Sequence, residues 1–196
     1  IAGYAKNAWK TAGMSANRYA EQATLFSASL LQSVGGDTKK AAELANMALM
    51  DMGDNINKFG GDMAMVENAY QGLARGSYVM LDNLRLGYKG TAHEMMRLIN
   101  DSGVLGYKLT NVSQLTEVGF GTMVEAIHKV QEEMGITGTT IAEASGTISG
   151  SLNQMKAAFA NVLATMSVVN KEGLGILNLD EALGDLAIGV SDFASN

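Results

Sequence analysis

The stretch from Gly135 to Val169 organises the predicted fold. It reads GITGTTIAEASGTISGSLNQMKAAFANVLATMSVV. Thr140 and Glu143 have the spacing of a capping box, in which two side chains satisfy the free N–H groups that begin a helix. Apolar residues then recur every three or four positions, at Ile141, Ala144, Ile148, Leu152, Met155, Phe159, Val162, Met166 and Val169. This rhythm predicts one long helix near 140–169 whose apolar stripe packs along a partner.

Glycines within this stretch are the weak point of the long-helix prediction. Gly146 and Gly150 lie inside the apolar rhythm, and glycine lowers helix stability relative to alanine. Small residues also let a second helix approach closely, so we interpret the GTISGS segment as a packing feature. A helix break between the two glycines remains the alternative.

Two Gly-Gly-Asp junctions punctuate the first part of the chain, at 35–37 and 60–62. A glycine readily takes the left-handed conformation that ends a helix, and the aspartate caps the helix that follows. Together with Ser15 as an earlier cap, the junctions predict three successive helices. Their apolar stripes are Ala16, Tyr19, Ala23, Phe26, Leu30 and Val34, then Ala41, Ala45, Ala48, Met52, Ile56 and Phe59, then Met63, Val66, Ala69, Tyr70 and Leu73.

Residues 76–90 lack a clean apolar period and are bounded by glycines. We interpret them as an irregular or short-helical connector. Its predicted anchors are Tyr78, Leu81, Leu84, Leu86 and Tyr88. A strand over 77–81 is the alternative, although no partner strand is apparent.

The rest of the chain alternates helical and irregular segments. Thr91 and Glu94 form another capping-box pattern and predict a helix that ends near Ser102. Residues 104–112 suit an extended or hairpin-like excursion. The next predicted helix begins at Ser113 or Thr116 and carries the apolar residues Phe120, Met123, Ile127, Val130 and Met134. A last helix is predicted over 179–194, where Asn178 and Glu181 form a cap pair.

These patterns together predict an all-α fold, a bundle of five to seven helices with little or no β structure. We expect residues 1–196 to form a single helical module, with a possible boundary near 103–113. The chain begins at Ile1 and not at a methionine, which suggests a piece excised from a longer protein. The absence of proline fits long helices that are joined by glycines.

Composition disfavours several functional classes. The net charge is −6 without a basic run, which argues against specific nucleic-acid binding because phosphate neutralisation needs clustered lysine and arginine. The chain contains no cysteine, so it has neither disulfides nor a thiol nucleophile. No apolar run reaches the length of a spanning helix, and we expect no stable membrane insertion.

Residues with catalytic or metal-binding chemistry are few. His93 and His128 lack the spacing of a metal-ligand pair, and we expect surface or partly packed positions. The pairs Asp51/Asp54 and Glu132/Glu133 resemble acid–base candidates, but neighbouring helix carboxylates are usually solvated. The sequence therefore predicts no catalytic residue, no cofactor and no metal site, and indicates that the protein is not an enzyme.

Large apolar residues have predicted packing and interface roles. Trp9, the single tryptophan, is expected to be a core or interface anchor. Most methionines fall on predicted stripes, where flexible thioethers fill the core. Met47, Met50 and Met80 lie off these stripes and are the better interface candidates.

Several sequence words resemble the tape measure proteins of long-tailed bacteriophages and prophages. They are EMGITGTT, TISGS and MKAAFANVL, preceded by TAGMSANRYAEQATLFSASLLQSVGGDTKKAAELANMALMDMGDN, AYQGLARGSYVMLDNLRLGYKGT and VEAIHKVQEEMG. No single segment contains a catalytic or ligand-binding motif, whereas the order of the segments along the chain is specific to this family. The resemblance covers about residues 11–166, and the last thirty residues match less clearly.

The resemblance implies a structural virion protein. Such proteins set tail length during assembly and leave the tail ahead of the DNA at infection. The expected locations are the tail tube lumen or tail tip, and the host cytoplasm during assembly. The implied partners are tail tube and tail-tip or baseplate proteins, and other copies of the full-length protein. We expect this part to be an internal folded domain, because its capped helices fold back on one another.

Two other classes remain open. One is a cell-wall hydrolase module of a tail protein with a helical lysozyme-like fold, which would need a buried glutamate that faces an aspartate across a cleft. The other is a membrane-active module that inserts during ejection, which would need a long apolar helix. The sequence shows neither feature.

Overall fold

The computed structural model describes residues 2–147, and within them all regular structure is helical. The all-α prediction is therefore confirmed. The α-helices are α1 (Ala2–Ala5), α2 (Ala8–Thr11), α3 (Ala16–Ser33), α4 (Thr38–Phe59), α5 (Met63–Ala74), α6 (Ala92–Ser102) and α7 (Phe120–Glu133). Two 3₁₀ turns, Leu81–Leu84 and Val112–Glu117, lie between the later helices, and residues 139–147 are again helical. The predicted helix over 179–194 and the long helix beyond 147 lie outside the described residues.

The chain divides into two compact units, Ile1–Glu143 and Ala144–Asn196. The helices α1 to α7 all belong to the first unit. The predicted boundary near 103–113 falls inside this unit.

Predicted caps begin four of the helices. The side chains of Ser15, Asp37, Asp62 and Thr91 each accept a hydrogen bond from a backbone N–H in the first turn of α3, α4, α5 and α6. Both Gly-Gly pairs have positive φ angles, from 64° to 106°, which only glycine adopts without strain. The Gly-Gly-Asp junctions therefore separate helices as predicted.

The longest described helix, α4, is the central element of the first unit. It packs against α3, α5 and α7. Four predicted stripe residues, Ala41, Ala45, Ala48 and Met52, are buried on it. A Cβ atom at Gly53 would lie 2.5 Å from the carbonyl oxygen of Ala12, so the end of α2 rests directly on the α4 backbone.

Aromatic side chains join three of these helices in the core. Phe26 of α3 is fully buried, and its ring centroid lies 5.7 Å from that of Phe120 on α7 and 6.5 Å from that of Tyr70 on α5. Tilted aromatic pairs at such separations are favourable beyond the area they bury. The predicted stripes of α3, α5 and α7 therefore meet in one core.

The connector over 76–90 is irregular, with one 3₁₀ turn, as predicted. Leu81, Leu84 and Leu86 are buried, and Tyr78 and Tyr88 pack partly against the core. The alternative of a strand over 77–81 is wrong, because none of these residues is in a strand: 79–80 form a turn and Leu81 begins the 3₁₀ helix.

The segment before α7 differs from its prediction. The helix expected from Ser113 or Thr116 begins at Phe120, after the 3₁₀ turn Val112–Glu117. Asn111 and Gln114 form a capping box on that turn. The Asn111 side chain accepts from the Ser113 N–H, and the Gln114 side chain accepts from the Asn111 N–H, both at 2.9 Å. This local polar pairing competes with a continuous helix.

The 104–112 segment is an irregular loop and not a hairpin. The Asn100 side chain donates to the Leu109 carbonyl at 2.9 Å and accepts from the Leu109 N–H at 2.7 Å. One side chain thus supplies both hydrogen bonds that a strand partner would have made.

Trp9 is not a core anchor in the first unit. Its side chain is 44% exposed on α2, while the small neighbours Ala8 and Ala12 are fully buried. The close approach of α2 to Gly53 explains the difference, because only small side chains fit on the inner face of α2.

Candidate functional site

Two buried carboxylates, Asp51 and Asp54, lie one turn apart on α4. They are 0% and 1% exposed, so the expectation that they are solvated is wrong. Residues 51–55 of α4 are all buried, so the helix is enclosed on every side at this level. Their partners are 77 to 86 residues away in the chain. Neither aspartate lies on the predicted apolar stripe of α4, so the sequence pattern did not mark them as buried.

Asp51 contacts His128 of α7. The Oδ1 atom of Asp51 lies 2.7 Å from Nδ1 of His128. When Asp51 is ionised it can only accept, so Nδ1 carries the hydrogen and Nε2 is the free ring nitrogen. Glu132, one turn along α7, has its Oε1 3.7 Å from Nε2. The expectation that His128 is partly packed is confirmed, since 23% of its side chain is exposed.

The two side chains change each other's protonation. Burial raises the pKa of Asp51 to about 6, although the hydrogen bond from His128 opposes this shift. The hydrogen bond to Asp51 raises the pKa of His128, and burial partly opposes that. Because both groups titrate in contact, they lose their protons as a coupled pair.

A surface pocket of about 230 Å³ gives His128 access to solvent. Its lining residues are Tyr4, Glu43, Asn46, Met47, Met50, Asp51, His128 and Thr137. None of them is a lysine or arginine. Two of the methionines that the sequence marked as interface candidates, Met47 and Met50, therefore lie half-buried in this pocket, and the third, Met80, is exposed.

Asp54 fastens the end of the first unit onto α4. Its Oδ2 accepts from the Gly138 N–H at 2.7 Å, and its Oδ1 accepts from the Thr140 N–H at 2.8 Å. The Thr139 hydroxyl donates to the Asp54 backbone carbonyl at 3.3 Å. Asp54 thus caps, from another helix, the helical segment that begins at Thr139.

The predicted capping box of Thr140 and Glu143 is therefore wrong. Thr140 is helical, and its buried hydroxyl has no hydrogen-bond partner among the described residues. Glu143 instead accepts a hydrogen bond from the side chain of Asn57 on α4. Asp54 takes the place of the predicted cap because its two carboxyl oxygens already accept the Gly138 and Thr140 N–H groups.

The remaining sequence candidates do not converge on this pocket. His93 is exposed on α6, and Glu132 and Glu133 are exposed on α7. Within the described residues no three histidine or carboxylate side chains group closely enough to hold a metal ion. One ion pair had no signal in the sequence: exposed Arg18 of α3 donates two hydrogen bonds of 2.9 Å to buried Glu67 of α5.

The geometry favours a structural role for Asp51 and Asp54, which connect α4 to other segments, over acid–base catalysis by the two carboxylates. Both Asp54 oxygens already accept backbone N–H groups, so Asp54 is not placed as a proton partner for Asp51. The described lining of the pocket holds no serine, and Thr137 offers its hydroxyl only as a buried group without a partner there. The chemistry that remains is proton uptake and release by His128, with Asp51 fixing its orientation.

Comparison with protein-family models, curated proteins and solved structures gives no match to this chain. Among the described residues, no helix is both long enough and apolar enough to cross a membrane.

Proposed function

We propose that this chain is a folded module of a phage tail tape measure protein, with roles in tail length determination, tail assembly and genome ejection. The observation that carries the proposal is the joint order of family-like sequence words over about residues 11–166. The all-α architecture is compatible with it. The module would lie in the tail tube lumen or tail tip, against tube, tip or baseplate proteins.

Physical dimensions separate this module from an extended ruler. A continuous helix of 143 residues would span roughly 215 Å at about 1.5 Å per residue. The longest described helix has 22 residues, which corresponds to about 33 Å. Its neighbours fold back onto it through Gly-Gly-Asp junctions, so residues 1–143 convert little of their length into distance. The proposed role of this unit is therefore that of a folded domain within a longer ruler.

The first test is the location of the chain. Antibodies raised against the purified chain should label tails of particles produced by the organism that encodes it, and peptides of the chain should appear in mass spectra of purified tails. Detection only in the soluble fraction, with none in particles, would contradict the proposal. An antibody against the major tail protein is the positive control.

The second test concerns the contribution to length. Deletion in frame of the codons for residues 1–143 from the full gene should shorten the tail by much less than roughly 215 Å, or prevent tail completion. Deletion of an equal number of codons from a continuously helical part of the same gene is the matched control. Equal shortening by both deletions would show that these residues act as ruler.

A further inference from the structure

The contact between Asp51 and His128 ties α4 to α7. Asp51 is fully buried, and its second oxygen, Oδ2, has no hydrogen-bond partner among the described residues. An unscreened carboxylate in such a position depends on the one cationic group that faces it. His128 is that group, at 2.7 Å.

The charged and titratable surroundings of the pair are acidic or neutral. Asp54 on α4 and Glu132 on α7 both favour protonation of His128. Glu43 and Tyr4 line the same pocket, and buried Tyr70 on α5 feels the charge of Asp51. In the part of the chain that the structure describes, no lysine or arginine lines the pocket to replace the histidine. The proton on His128 therefore determines whether Asp51 has a cationic partner.

We propose that Asp51 and His128 form a proton-operated clamp between α4 and α7, tight while His128 carries its second proton and looser once that proton is lost. The proton leaves from Nε2 through the 230 Å³ pocket, and Nδ1 keeps its hydrogen for Asp51. The fold need not open for this exchange, because the histidine side chain is already partly exposed.

The direction of the pH dependence follows from both partners. The fold raises the pKa of Asp51 to about 6 and raises the pKa of His128, so the folded state binds more protons than the unfolded chain. Stability contributed by this pair is present in mild acid. It falls with rising pH, from about pH 4 for Asp51 and from about pH 6.5 for His128, where the unfolded groups titrate.

The first experiment follows the imidazole of His128 by NMR in the full 196-residue chain. His93→Gln, which removes the exposed histidine of α6, assigns the two signals. The titration midpoint of His128 should lie above the ordinary value of about 6.5, and Asp51→Asn should lower it. A midpoint at or below the ordinary value in the wild-type chain would overturn the proposal, whether or not the variant folds.

The second experiment compares urea unfolding of wild type and Asp51→Asn between pH 4.5 and 8. The two chains should be similar in acid, because the amide imitates a protonated carboxyl. At pH 8 the variant should be more stable than wild type, because only wild type then holds a buried carboxylate without a cationic partner. The equilibrium constant for unfolding should be lower in the variant by about tenfold or more, since a pKa shift of one unit corresponds to a factor of ten. His93→Gln should follow wild type throughout. A ratio between variant and wild type that does not change with pH would overturn the clamp.

Discussion

Two aspartates, one at the start of α4 and one within it, each accept backbone N–H groups at the start of a helical segment, but one is exposed and the other is buried. Asp37 caps its own helix at the surface, with Oδ1 accepting two backbone N–H groups at 3.0 Å. Asp54 caps the segment that begins at Thr139 and is buried. An exposed N–H that loses its cap turns to water, whereas a buried one stays unsatisfied. The same side chain is therefore worth more at position 54.

Replacement of Asp54 tests this difference at the residue scale. Asp54→Ala leaves the Gly138 and Thr140 N–H groups without an acceptor, and we expect a loss of about 2–4 kcal/mol in unfolding free energy. Asp37→Ala is the matched control, with an expected loss of about 0.5–2 kcal/mol. Urea denaturation at neutral pH measures both. Equal losses would mean that solvent reaches residues 138–140.

Contacts that are local in sequence were predictable, and those across long distances were not. Asp37, Asp62 and Thr91 lie within three residues of the N–H groups they satisfy, so a pattern search finds them. Asp51 and His128 are 77 residues apart, and nothing in the spacing of either residue names the other. The candidate site therefore needed the tertiary fold, because neither Asp51 nor Asp54 lies on the predicted apolar stripe of α4.

At the scale of elements, α4 is shaped by the backbone that crosses it. Gly53 lies in the helix interior, where glycine normally lowers stability. It is required here because Ala12 packs against it, and an added Cβ would meet the Ala12 carbonyl carbon at 2.7 Å and its oxygen at 2.5 Å. Since these are backbone atoms, the contact is relieved only if α2 moves away.

Gly53→Ala should therefore destabilise the fold despite the better helix propensity of alanine. We expect a loss of about 1–3 kcal/mol, typical of overpacking. Gly146→Ala is the matched control, because Gly146 is helical and a Cβ there meets no atom of residues 2–147 within 4 Å. That control should be neutral or stabilising by up to about 1 kcal/mol. Thermal melts compare the stability of both variants with that of wild type. Stabilisation by Gly53→Ala would show that α2 does not rest on α4.

Element boundaries were predictable where one signal acted alone. The Gly-Gly-Asp junctions combine a helix stop with a cap, and α3, α4 and α5 begin or end beside them. Before α7, two signals competed. The Asn111 and Gln114 side chains hold a 3₁₀ turn, which delays the helix to Phe120 although Ser113 and Thr116 are acceptable caps.

At the scale of the whole molecule, the exposed apolar side chains of the described residues lie on several elements, with Leu25 and Leu31 both on α3 and Val79 beside Met80 in the connector. Trp9 lies on α2 and Tyr107 in the loop after α6. Isolated exposed apolar residues are normal on monomeric proteins, whereas stable interfaces need a contiguous patch. The net charge of −6 adds mutual repulsion between copies.

We therefore predict that the isolated chain is a monomer or a weak oligomer, although the proposed function would place several copies in one tail. The apolar stripe over 141–169 continues outside the described residues, and its neighbours in sequence are mostly uncharged: Ser151, Asn153, Gln154, Asn161 and Thr165. Coiled-coil helices normally select partner and register through charged flanking positions. Without them, the parallel assembly that the proposed function implies would depend on regions outside this chain or on the surrounding tail. Sedimentation velocity at micromolar concentration measures this directly, and a stable trimer or hexamer would place the stripe at an interface between copies.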